Sequence, residues 1–389
     1  MSAIPSFDAF DAQVDGHKLR VVANGQERLA MLLETIEGAK SSLRLFYYIF
    51  ADDACGKRVK EALIEARGRG VKVSVLVDGF GSGDCPDSSF QPLIDAGCVF
   101  ARFYPRWGRR YLLRNHQKMV IADEQVALTG GANVSDAYFS DDPDAPSWHD
   151  LMIRIEGPAA QRLARYHDAL RRWMLSPKPR FRGLLNILAR RSEKKDAPLR
   201  WLFNGPFRTI SPLTRCIRAD LAKATRLDMI EAYFAPNWGM LRRIARIEAR
   251  GGEARVMTAA RSDNHMTVSA ARHCYRRLLR NGVRIFEYLP QMLHMKLIVA
   301  DDATYIGSAN FDMRSLYINA EIMLRIEDAG FAEKMRGFIA AHEPHCDEIT
   351  RAEHRKRSGA LSRLRWLISY FLVSTVDFSV TRTVSLRRR

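Results

Sequence analysis

Apolar residues recur along the chain at two different spacings. Over residues 26–40 they recur at the spacing of a helix, which predicts an amphipathic helix with one buried stripe. Residues 43–50 form a short apolar run rich in aromatic side chains, which is typical of a buried strand. A second helix is predicted over residues 57–67 and a second buried strand over residues 71–77, with glycines between them. Strands and helices that alternate in this rhythm favour an α/β layered fold.

The first half of the chain continues with a predicted hairpin. Residues 116–122 are predicted to form a strand, followed by an Asp-Glu turn and a partner strand at residues 125–128. A further strand is predicted at residues 151–155 and a helix at residues 158–175. Alternation along the first of these strands would place His116 and Lys118 on the same face.

The second half of the chain repeats the pattern of the first. Its predicted elements are a helix at residues 215–223, a strand at 227–234, a helix at 240–250, and strands at 254–258, 283–288 and 317–325. A repeat of this length is too long for a solenoid and suits two similar domains that face each other. We therefore predict an α/β protein in which an internal duplication gives two similar α/β/α sandwich lobes.

Shifts in composition divide the chain into four parts. We predict a first lobe at 1–175, a basic interdomain segment at 176–200, a second lobe at 201–350 and a basic and apolar C-terminal tail at 351–389. The interdomain segment contains a basic amphipathic stretch that fits either membrane contact or a plain interdomain helix. The apolar run in the tail is too short to span a bilayer, and it fits either a helix in the lipid interface or a terminal helix packed on the second lobe.

The charge of the chain points to an anionic partner. The sequence has 61 Lys and Arg against 44 Asp and Glu, which gives a net charge of +17. A phospholipid surface, a nucleic acid or a phosphorylated substrate would each be attracted, although a soluble protein can also simply be basic. Four arginines just before residue 116 would either gather anionic groups or form a solvated loop. They are Arg106, Arg109, Arg110 and Arg114.

The cysteines and the N-terminus indicate a cytoplasmic protein with reduced thiols. The six cysteines show neither a CxxC pair nor the spacing of metal ligands. Residues 1–16 lack the apolar core of a signal peptide. No apolar run reaches the roughly 18 residues that a membrane-spanning helix needs.

One motif of His, Lys and Asp occurs in both halves of the chain, each time followed by a turn of small residues that ends in Asn. The residues concerned are His116, Lys118, Asp123 and Asn133 in the first half, and His294, Lys296, Asp301 and Asn310 in the second. A single copy would also fit a half-buried strand that carries a structural histidine. Two copies, each with its turn, indicate a functional site built from both halves.

Two histidines and two lysines that converge on one point would form a site for a phosphodiester. The ammonium groups would neutralise the charge that builds on the non-bridging oxygens, while one imidazole attacks phosphorus and the other protonates the departing oxygen. Each imidazole needs a carboxylate on its other ring nitrogen, and Asp150 and Glu321 are the candidates. Neither copy has a metal-binding pattern, so we expect neither a metal nor a cofactor.

These residues resemble the duplicated signature of the phospholipase D superfamily, over about residues 26–345. The turn at residues 307–310, with Glu321 and with Trp148 beside Asp150, looks like bacterial cardiolipin synthases. The resemblance implies the two-lobed phospholipase D fold, a metal-free site between the lobes and a phosphohistidine intermediate. It also implies that His116 is the nucleophile and His294 the acid, although the sequence leaves these roles exchangeable.

Two features depart from the resembled pattern. Many cardiolipin synthases begin with two membrane-spanning helices, and this chain looks like the shorter type without them. His149 stands between Trp148 and Asp150, where another residue is expected.

The resemblance implies a cardiolipin synthase that transfers a phosphatidyl group between phospholipids, with phosphatidylglycerol as donor, acceptor or both. The alternatives are a phospholipase D-type hydrolase or a nuclease of the same superfamily, which would use the same residues. A non-enzymatic membrane-binding module would be favoured only if a motif had lost its His or Lys. The expected partners are anionic phospholipids and a membrane surface, without nucleic acid, and the expected location is the cytoplasmic face of the cytoplasmic membrane. The oligomeric state is not predicted.

Overall fold

The structure is a computed structural model that describes residues 5–104, 113–142, 147–190 and 197–376. The strands are β1 Phe10–Val14, β2 His17–Val22, β3 Ser42–Tyr47, β4 Lys72–Asp78, β5 Val99–Phe103, β6 Met119–Ala122, β7 Val126–Gly130, β8 Trp148–His149, β9 Met152–Glu156, β10 Leu199–Asn204, β11 Arg226–Glu231, β12 Phe234–Ala235, β13 Glu253–Ala259, β14 Arg284–Tyr288, β15 Met292–Leu293, β16 Lys296–Ala300, β17 Ala303–Gly307, β18 Phe311–Asp312, β19 Glu321–Glu327 and β20 Cys346–Glu348. The α-helices are α1 Gly25–Glu37, α2 Ala54–Gly68, α3 Gln91–Asp95, α4 Asp136–Phe139, α5 Pro158–Met174, α6 Phe181–Arg190, α7 Pro212–Lys223, α8 Trp238–Ala249, α9 His265–Arg280, α10 Met313–Tyr317, α11 Ala329–His342, α12 Arg351–Arg357 and α13 Ala360–Phe371.

Two eight-stranded sheets with matching topology form the framework. The first has the order β1-β2-β9-β7-β6-β3-β4-β5 and the second the order β10-β19-β17-β16-β11-β13-β14-β20. In the first sheet β3, β4 and β5 are parallel, and β6, on the other side of β3, is antiparallel. In the second sheet β11, β13 and β14 are parallel, and β16, on the other side of β11, is antiparallel. Seven strands of each sheet therefore correspond one to one, which confirms the predicted α/β fold with two similar lobes.

Each sheet is covered by helices on both faces, and one core is shared by the two lobes. In the first lobe, α1 and α2 cover one face through residues such as Leu32 and Leu63. The other face joins a cluster that also contains α5, α11 and the second sheet, with Leu163, Met335 and Leu297 among its members. Because the central strands are buried on both faces, most of their residues are apolar, as in β4 and β16.

Several element boundaries differ from the sequence prediction. The strand predicted at 116–122 begins only at Met119, so His116 and Lys118 lie in the segment before it. The region predicted as a strand at 317–325 begins with the end of α10, and β19 starts at Glu321. The hairpin of β1 and β2 was missed because β1 lies at a sheet edge, where few of its side chains are buried.

The interdomain segment and the tail both contain helices. In α6, Leu184 and Leu188 are fully buried in the shared core, so this part of its apolar face packs on protein. In the tail, α13 packs on α9 and turns Trp366 and Tyr370 inward. No helix within the described ranges is long and apolar enough to cross a membrane. Arg106, Arg109 and Arg110, together with 191–196 and 377–389, lie outside the described residues.

Candidate active site

Both motif histidines lie where the two lobes meet. The backbone N–H of His116 donates to the carbonyl of Ala320 at 2.9 Å, and the N–H of His294 donates to the carbonyl of His149 at 2.8 Å. Just before His294, strand β15 pairs in parallel with β8 of the other lobe. Each motif is therefore tied by main-chain hydrogen bonds to the opposite lobe.

The two predicted carboxylates hold the histidines crosswise. Nδ1 of His116 lies 3.1 Å from Oε2 of Glu321, which belongs to the second lobe. Nδ1 of His294 lies 2.6 Å from Oδ2 of Asp150, which belongs to the first. Both carboxylates are fully buried. A carboxylate on Nδ1 fixes the tautomer that leaves Nε2 as the free basic nitrogen.

The two lysines share the site with the histidines. Nζ of Lys118 donates to the carbonyl of His116 at 2.7 Å, and Nζ of Lys296 donates to the carbonyl of His294. Each lysine also acts on the histidine of the other lobe, because the charge of Lys296 lowers the pKa of His116 and that of Lys118 lowers the pKa of His294. The structure thus brings both His–Lys pairs into one cleft.

Burial lowers the pKa values of the histidines and the lysines and so favours their neutral forms. Burial is the main cause that lowers the pKa of His294 to about 3, and the neighbouring Lys296 adds to it. The pKa of His116 is also lowered by burial, against the opposing effect of Glu321. Burial lowers the pKa of Lys296 to about 8 and that of Lys118 well below its usual value. An anion that enters the site would favour the charged form of both lysines.

The carboxylates stay ionised in spite of their burial. Burial alone would raise the pKa of Glu321, but His116 and Lys118 hold it below its usual value. In the same way, His294 and Lys296 outweigh burial and lower the pKa of Asp150. Each histidine is therefore oriented by a charged acceptor.

The motif aspartates lie apart from this cluster, each in a hairpin turn. Asp123, which has a φ of 54°, accepts hydrogen bonds from the backbone N–H groups of Lys40, Ser41 and Ser42 at 2.7–2.8 Å. Asp301, with a φ of 47°, accepts from the N–H groups of Thr225 and Arg226 at 3.0 and 2.9 Å. Asp123 therefore holds the loop before β3 to the first motif hairpin, and Asp301 holds the loop before β11 to the second.

The two asparagines that end the small-residue turns differ in their contacts. Oδ1 of Asn133 accepts from the backbone N–H of Ile49 at 3.1 Å. Oδ1 of Asn310 is buried and has no hydrogen-bond partner among the described residues.

The small residues of these turns make room for the carboxylates. A Cβ on Gly131 would come within 2.4 Å of Oδ1 of Asp150. At the corresponding place in the second lobe, the hydroxyl of Ser308 donates to Oε2 of Glu321 at 2.5 Å. The position therefore accepts only glycine in the first lobe, whereas a small hydroxyl side chain fits in the second.

Two buried acids near the site were missed by the sequence analysis. Glu231 pairs with Lys296 across the sheet, and burial raises its pKa well above the usual value. Its Oε2 accepts from the N–H of Phe311 at 3.1 Å, while Oε1 has no partner within the described part of the chain. Asp78, at the end of β4, accepts from the N–H of Asn115 at 2.8 Å and so fixes the residue before His116. The available signal was an acid directly after the strand predicted at 71–77 for Asp78, and an acid inside the strand predicted at 227–234 for Glu231.

Aromatic rings frame both histidines. The ring of Tyr48 lies 4.7 Å from that of His116, and the rings of Tyr138, Trp148 and Tyr233 lie 5.1, 5.2 and 6.4 Å from that of His294. They give the site apolar walls around a cationic centre. Over the described ranges, no group of three or more His, Cys, Asp or Glu side chains is placed to hold a metal ion.

A duplicated α/β lobe with two His–Lys pairs in one cleft defines a protein of the phospholipase D-like class. Residues 32–170 and 217–342, together more than half of the chain, match the family described as "Cardiolipin synthase, PLD-like domain". The chain therefore belongs to this family, and it is an enzyme of the phosphatidyltransferase type.

Individual relatives agree with this assignment. The chain is 30% identical to cardiolipin synthase A of Pseudomonas putida over 357 residues, which cover 90% of this chain and 73% of the relative. It is 27% identical to cardiolipin synthase 1 of Bacillus cereus over 352 residues, covering 87% of this chain and 69% of that protein.

Two solved structures share the fold. The crystal structure of phosphatidylserine synthase from Haemophilus influenzae matches with a TM-score of 0.71 at 16% identity, over 96% of each chain. That of polyphosphate kinase from Porphyromonas gingivalis matches with a TM-score of 0.57 at 15% identity, over 90% of this chain and 52% of the other.

Proposed function

We propose that this enzyme is a cardiolipin synthase that transfers a phosphatidyl group from one phosphatidylglycerol molecule to another through a phosphohistidine. The crosswise pairing of His116 with Glu321 and of His294 with Asp150 carries this proposal. It leaves Nε2 of each imidazole as the basic nitrogen, beside the two lysines that share the site. The family and the relatives named cardiolipin synthase support the choice of substrate.

In the first half-reaction, Nε2 of His116 attacks phosphorus and the P–O bond to the head-group glycerol breaks. The departing oxygen takes a proton from His294, and free glycerol leaves. Lys118 and Lys296 neutralise the negative charge on the non-bridging oxygens, and Asn310, whose Oδ1 is unpaired among the described residues, could accept from a donor on the substrate.

In the second half-reaction, His294 takes the proton from a head-group hydroxyl of a second phosphatidylglycerol. That oxygen attacks phosphorus, the P–N bond to His116 breaks, and cardiolipin leaves. One phosphodiester replaces another, so the exchange needs no nucleotide.

One observation favours the exchanged roles for the two histidines. The acid must carry a proton, and the pKa of His294, at about 3, is the one that burial and Lys296 depress strongly. Quenching the His116→Ala and His294→Ala variants during turnover and locating the phosphatidyl adduct by mass spectrometry tests this. An adduct on His116 in the His294→Ala variant supports the first scheme, and an adduct on His294 in the His116→Ala variant reverses it.

The products formed from labelled phosphatidylglycerol vesicles test the reaction itself. Cardiolipin and free glycerol in equal amounts are expected from the wild type, and neither is expected from the two histidine variants. Phosphatidic acid as the main product would replace the proposal with a phospholipase D-type hydrolase, and cleavage of DNA in place of lipid would replace it with a nuclease.

The substrates place the enzyme at a membrane. We propose that it binds peripherally to the cytoplasmic membrane from the cytoplasmic side, with lobes at 1–175 and 201–350 joined by the segment 176–200 and followed by the tail 351–389. Washing isolated cell membranes with high salt tests this, because a peripherally bound protein is released into the supernatant.

A further inference from the structure

A basic cavity lies outside the active site, between α9 and the helices of the tail. Its volume is about 330 Å³. Among the described residues that line it, six are arginines and none is acidic: Arg272, Arg276, Arg280, Arg351, Arg355 and Arg363. A cavity of this size and charge is suited to a phosphate group with part of the molecule that carries it.

Three of these arginines have neither a salt-bridge nor a hydrogen-bond partner for their guanidinium groups among the described residues. Arg272 is engaged with Glu287 through two contacts of 2.8 Å, and Arg351 donates to the carbonyls of Leu279 and Arg280. By contrast, Arg276, Arg280 and Arg355 are exposed, and their guanidinium groups have no salt bridge or hydrogen bond among the described residues. Their side chains are available to an external anion.

The apolar wall of the cavity provides an unused donor. Trp366 lines the cavity, is 4% exposed and stacks on His354 with 5.2 Å between the rings. Its indole N–H is buried and has no acceptor among the described residues. Buried donors are rarely left without an acceptor, so a partner from outside the chain is expected at this place. Burial lowers the pKa of His354, and Arg363 lowers it further against the opposing effect of Glu287.

An apolar ridge on the outer face of α13 adjoins this cavity. Residues at helical spacing along this face stay exposed although the opposite face is packed. They are Leu361, Leu364, Leu367, Ile368, Phe371 and Leu372, of which Leu361 is 82% exposed. Leu367 belongs to the ridge and also lines the cavity. An exposed apolar stripe flanked by arginines is the composition of helices that lie in a membrane interface.

The ridge is also linked to the active site. The hydroxyl of Tyr370 donates to the carbonyl of Pro236 at 2.8 Å, and its ring packs against that of Trp238, which is 49% exposed. Pro236 follows β12, and Tyr233, just before that strand, packs near His294. The helix is thus fastened to the segment that borders the reaction centre.

From these features we propose that α13 is the membrane-docking helix and that the arginine cavity beside it binds the phosphate of an anionic phospholipid in the bilayer. The ridge enters the head-group boundary while the unpartnered arginines hold the lipid phosphate. The choice of a lipid partner rests on the proposed function, but the docking site is separate from the chemistry.

Binding to vesicles tests the proposal with the full chain in the His116→Ala background, where the lipid is not converted. One vesicle preparation is phosphatidylcholine alone, and the other contains one-third phosphatidylglycerol. Two charges of this kind near a bilayer contribute on the order of 1 kcal/mol each. The cavity variant Arg276→Glu/Arg355→Glu is therefore expected to lose at least about tenfold in affinity for the anionic vesicles.

Each variant has a matched control on another surface. Arg242→Glu/Arg246→Glu makes the same charge change on α8, and Ile94→Ser/Leu175→Ser matches a ridge variant, Leu364→Ser/Ile368→Ser. The ridge variant is expected to lose binding to both vesicle types, and both controls are expected to bind as the parent does. Circular dichroism and wild-type-like transfer with detergent-dispersed lipid, in the active background, establish that the variants are folded.

Three results would overturn the proposal. One is unchanged vesicle binding by the cavity or ridge variant. Another is a ridge variant that changes only from dimer to monomer, because the ridge is then an interface between copies. The third is tight binding of inorganic phosphate in the cavity while vesicle binding does not depend on it. Lack of lipid transfer by an enzyme that still binds vesicles would contradict the proposed function alone.

Discussion

The imidazole of each motif histidine lies beside one carboxylate of the opposite lobe. Glu321 lies within hydrogen-bonding distance of His116 and Asp150 of His294, and neither carboxylate is exposed to solvent. The residues that orient the imidazoles are therefore separated from any substrate by the imidazoles themselves. This separation predicts effects on turnover with little effect on substrate affinity.

The Glu321→Gln variant preserves the size of the side chain and removes its charge. We expect kcat to fall by about 10²–10⁴-fold with KM nearly unchanged, because a neutral amide no longer favours the productive tautomer of His116. Because Glu321 raises the pKa of His116, the pKa in the acidic part of the pH profile should also move lower. Steady-state kinetics across pH measures both effects.

Glu327, at the other end of the same strand, is the matched control. It is exposed and pairs with Arg325 at 2.6 Å, so the Glu327→Gln variant should retain the wild-type profile. A Glu321→Gln enzyme that keeps wild-type kcat would show that this carboxylate does not position His116.

The charge of Lys296 should set an alkaline limit on the reaction. Its pKa is lowered to about 8 by burial, so the ammonium is present below that pH and is lost as the pH rises through it. An anionic substrate needs the ammonium, and kcat/KM reports groups of the free enzyme. We therefore expect kcat/KM to fall above about pH 8.

Lys296→Arg should change the position of this alkaline limb, since a guanidinium stays charged throughout the range and only Lys118, whose pKa burial also lowers, then titrates. If that variant is inactive because its geometry differs, the affinity of the wild type for inorganic phosphate over the same pH range provides the test. A kcat/KM that stays level to pH 10 would contradict the assignment.

At the scale of elements, the His and Lys of the duplicated motif have a different role from its Asp. Its His lies in the segment before a central strand, its Lys lies just before that strand in the first lobe and at its first residue in the second, and its Asp lies in the hairpin turn that follows the strand. The turn aspartates are bonded to backbone N–H groups of the loops that lead into β3 and β11. The repeated spacing predicts Asp123 and Asp301 as members of the catalytic set, whereas these contacts give them a role in holding the hairpin.

Asp123→Asn should lower stability and leave kcat nearly unchanged. The N–H groups of Lys40, Ser41 and Ser42 outweigh burial and lower the pKa of Asp123, so its contribution is present above its unfolded pKa of about 3.9 and is lost as the pH falls through the lower folded value. Replacing the charged acceptor should cost about 1–3 kcal/mol at neutral pH. Urea unfolding at pH 7 and near pH 3 measures this, and the difference from wild type should shrink at the lower pH.

The neighbouring Glu124→Gln change is the comparison within the same turn, because Glu124 contacts only the side chain of Arg44 in the described structure. A large loss of kcat in the Asp123→Asn variant, with stability unchanged, would return this residue to the catalytic set.

Long apolar strands and repeated spacing made much of the fold predictable. Strands such as β4 and β16 are buried almost throughout, so hydrophobicity alone marks them. Spacing also identified the residues of the cleft. It did not identify Glu231 or Asp78, because a single acid at the end of a strand looks like a surface residue until the packing around it is known. The pairing of each histidine with a carboxylate of the opposite lobe could not be predicted either, since it depends on how the lobes dock.

At the scale of the whole molecule, the two lobes form one folded unit. Their inner sheet faces contribute to the same apolar cluster with α5 and α11. Tyr166 of the first lobe stacks on Phe203 of the second with 4.0 Å between the rings, and the indole of Trp201 donates to the carbonyl of Ala159 at 2.9 Å. Domains joined by a large apolar interface do not behave as independent bodies.

The shared core predicts one cooperative unfolding transition. Phe203→Ala should destabilise the whole molecule by about 3–5 kcal/mol, because it opens a cavity where the lobes meet. Probes in the two lobes should then shift together. The first lobe can be followed through the fluorescence of Trp173 after the other tryptophans are replaced by Phe, and the second through Trp238 in a protein that keeps only that tryptophan. Phe80→Ala, which removes a ring that is 64% exposed, is the control and should shift neither probe. If Phe203→Ala moved only the second-lobe probe, the lobes would unfold separately, and the crosswise carboxylates would be held by docking between independently folded domains.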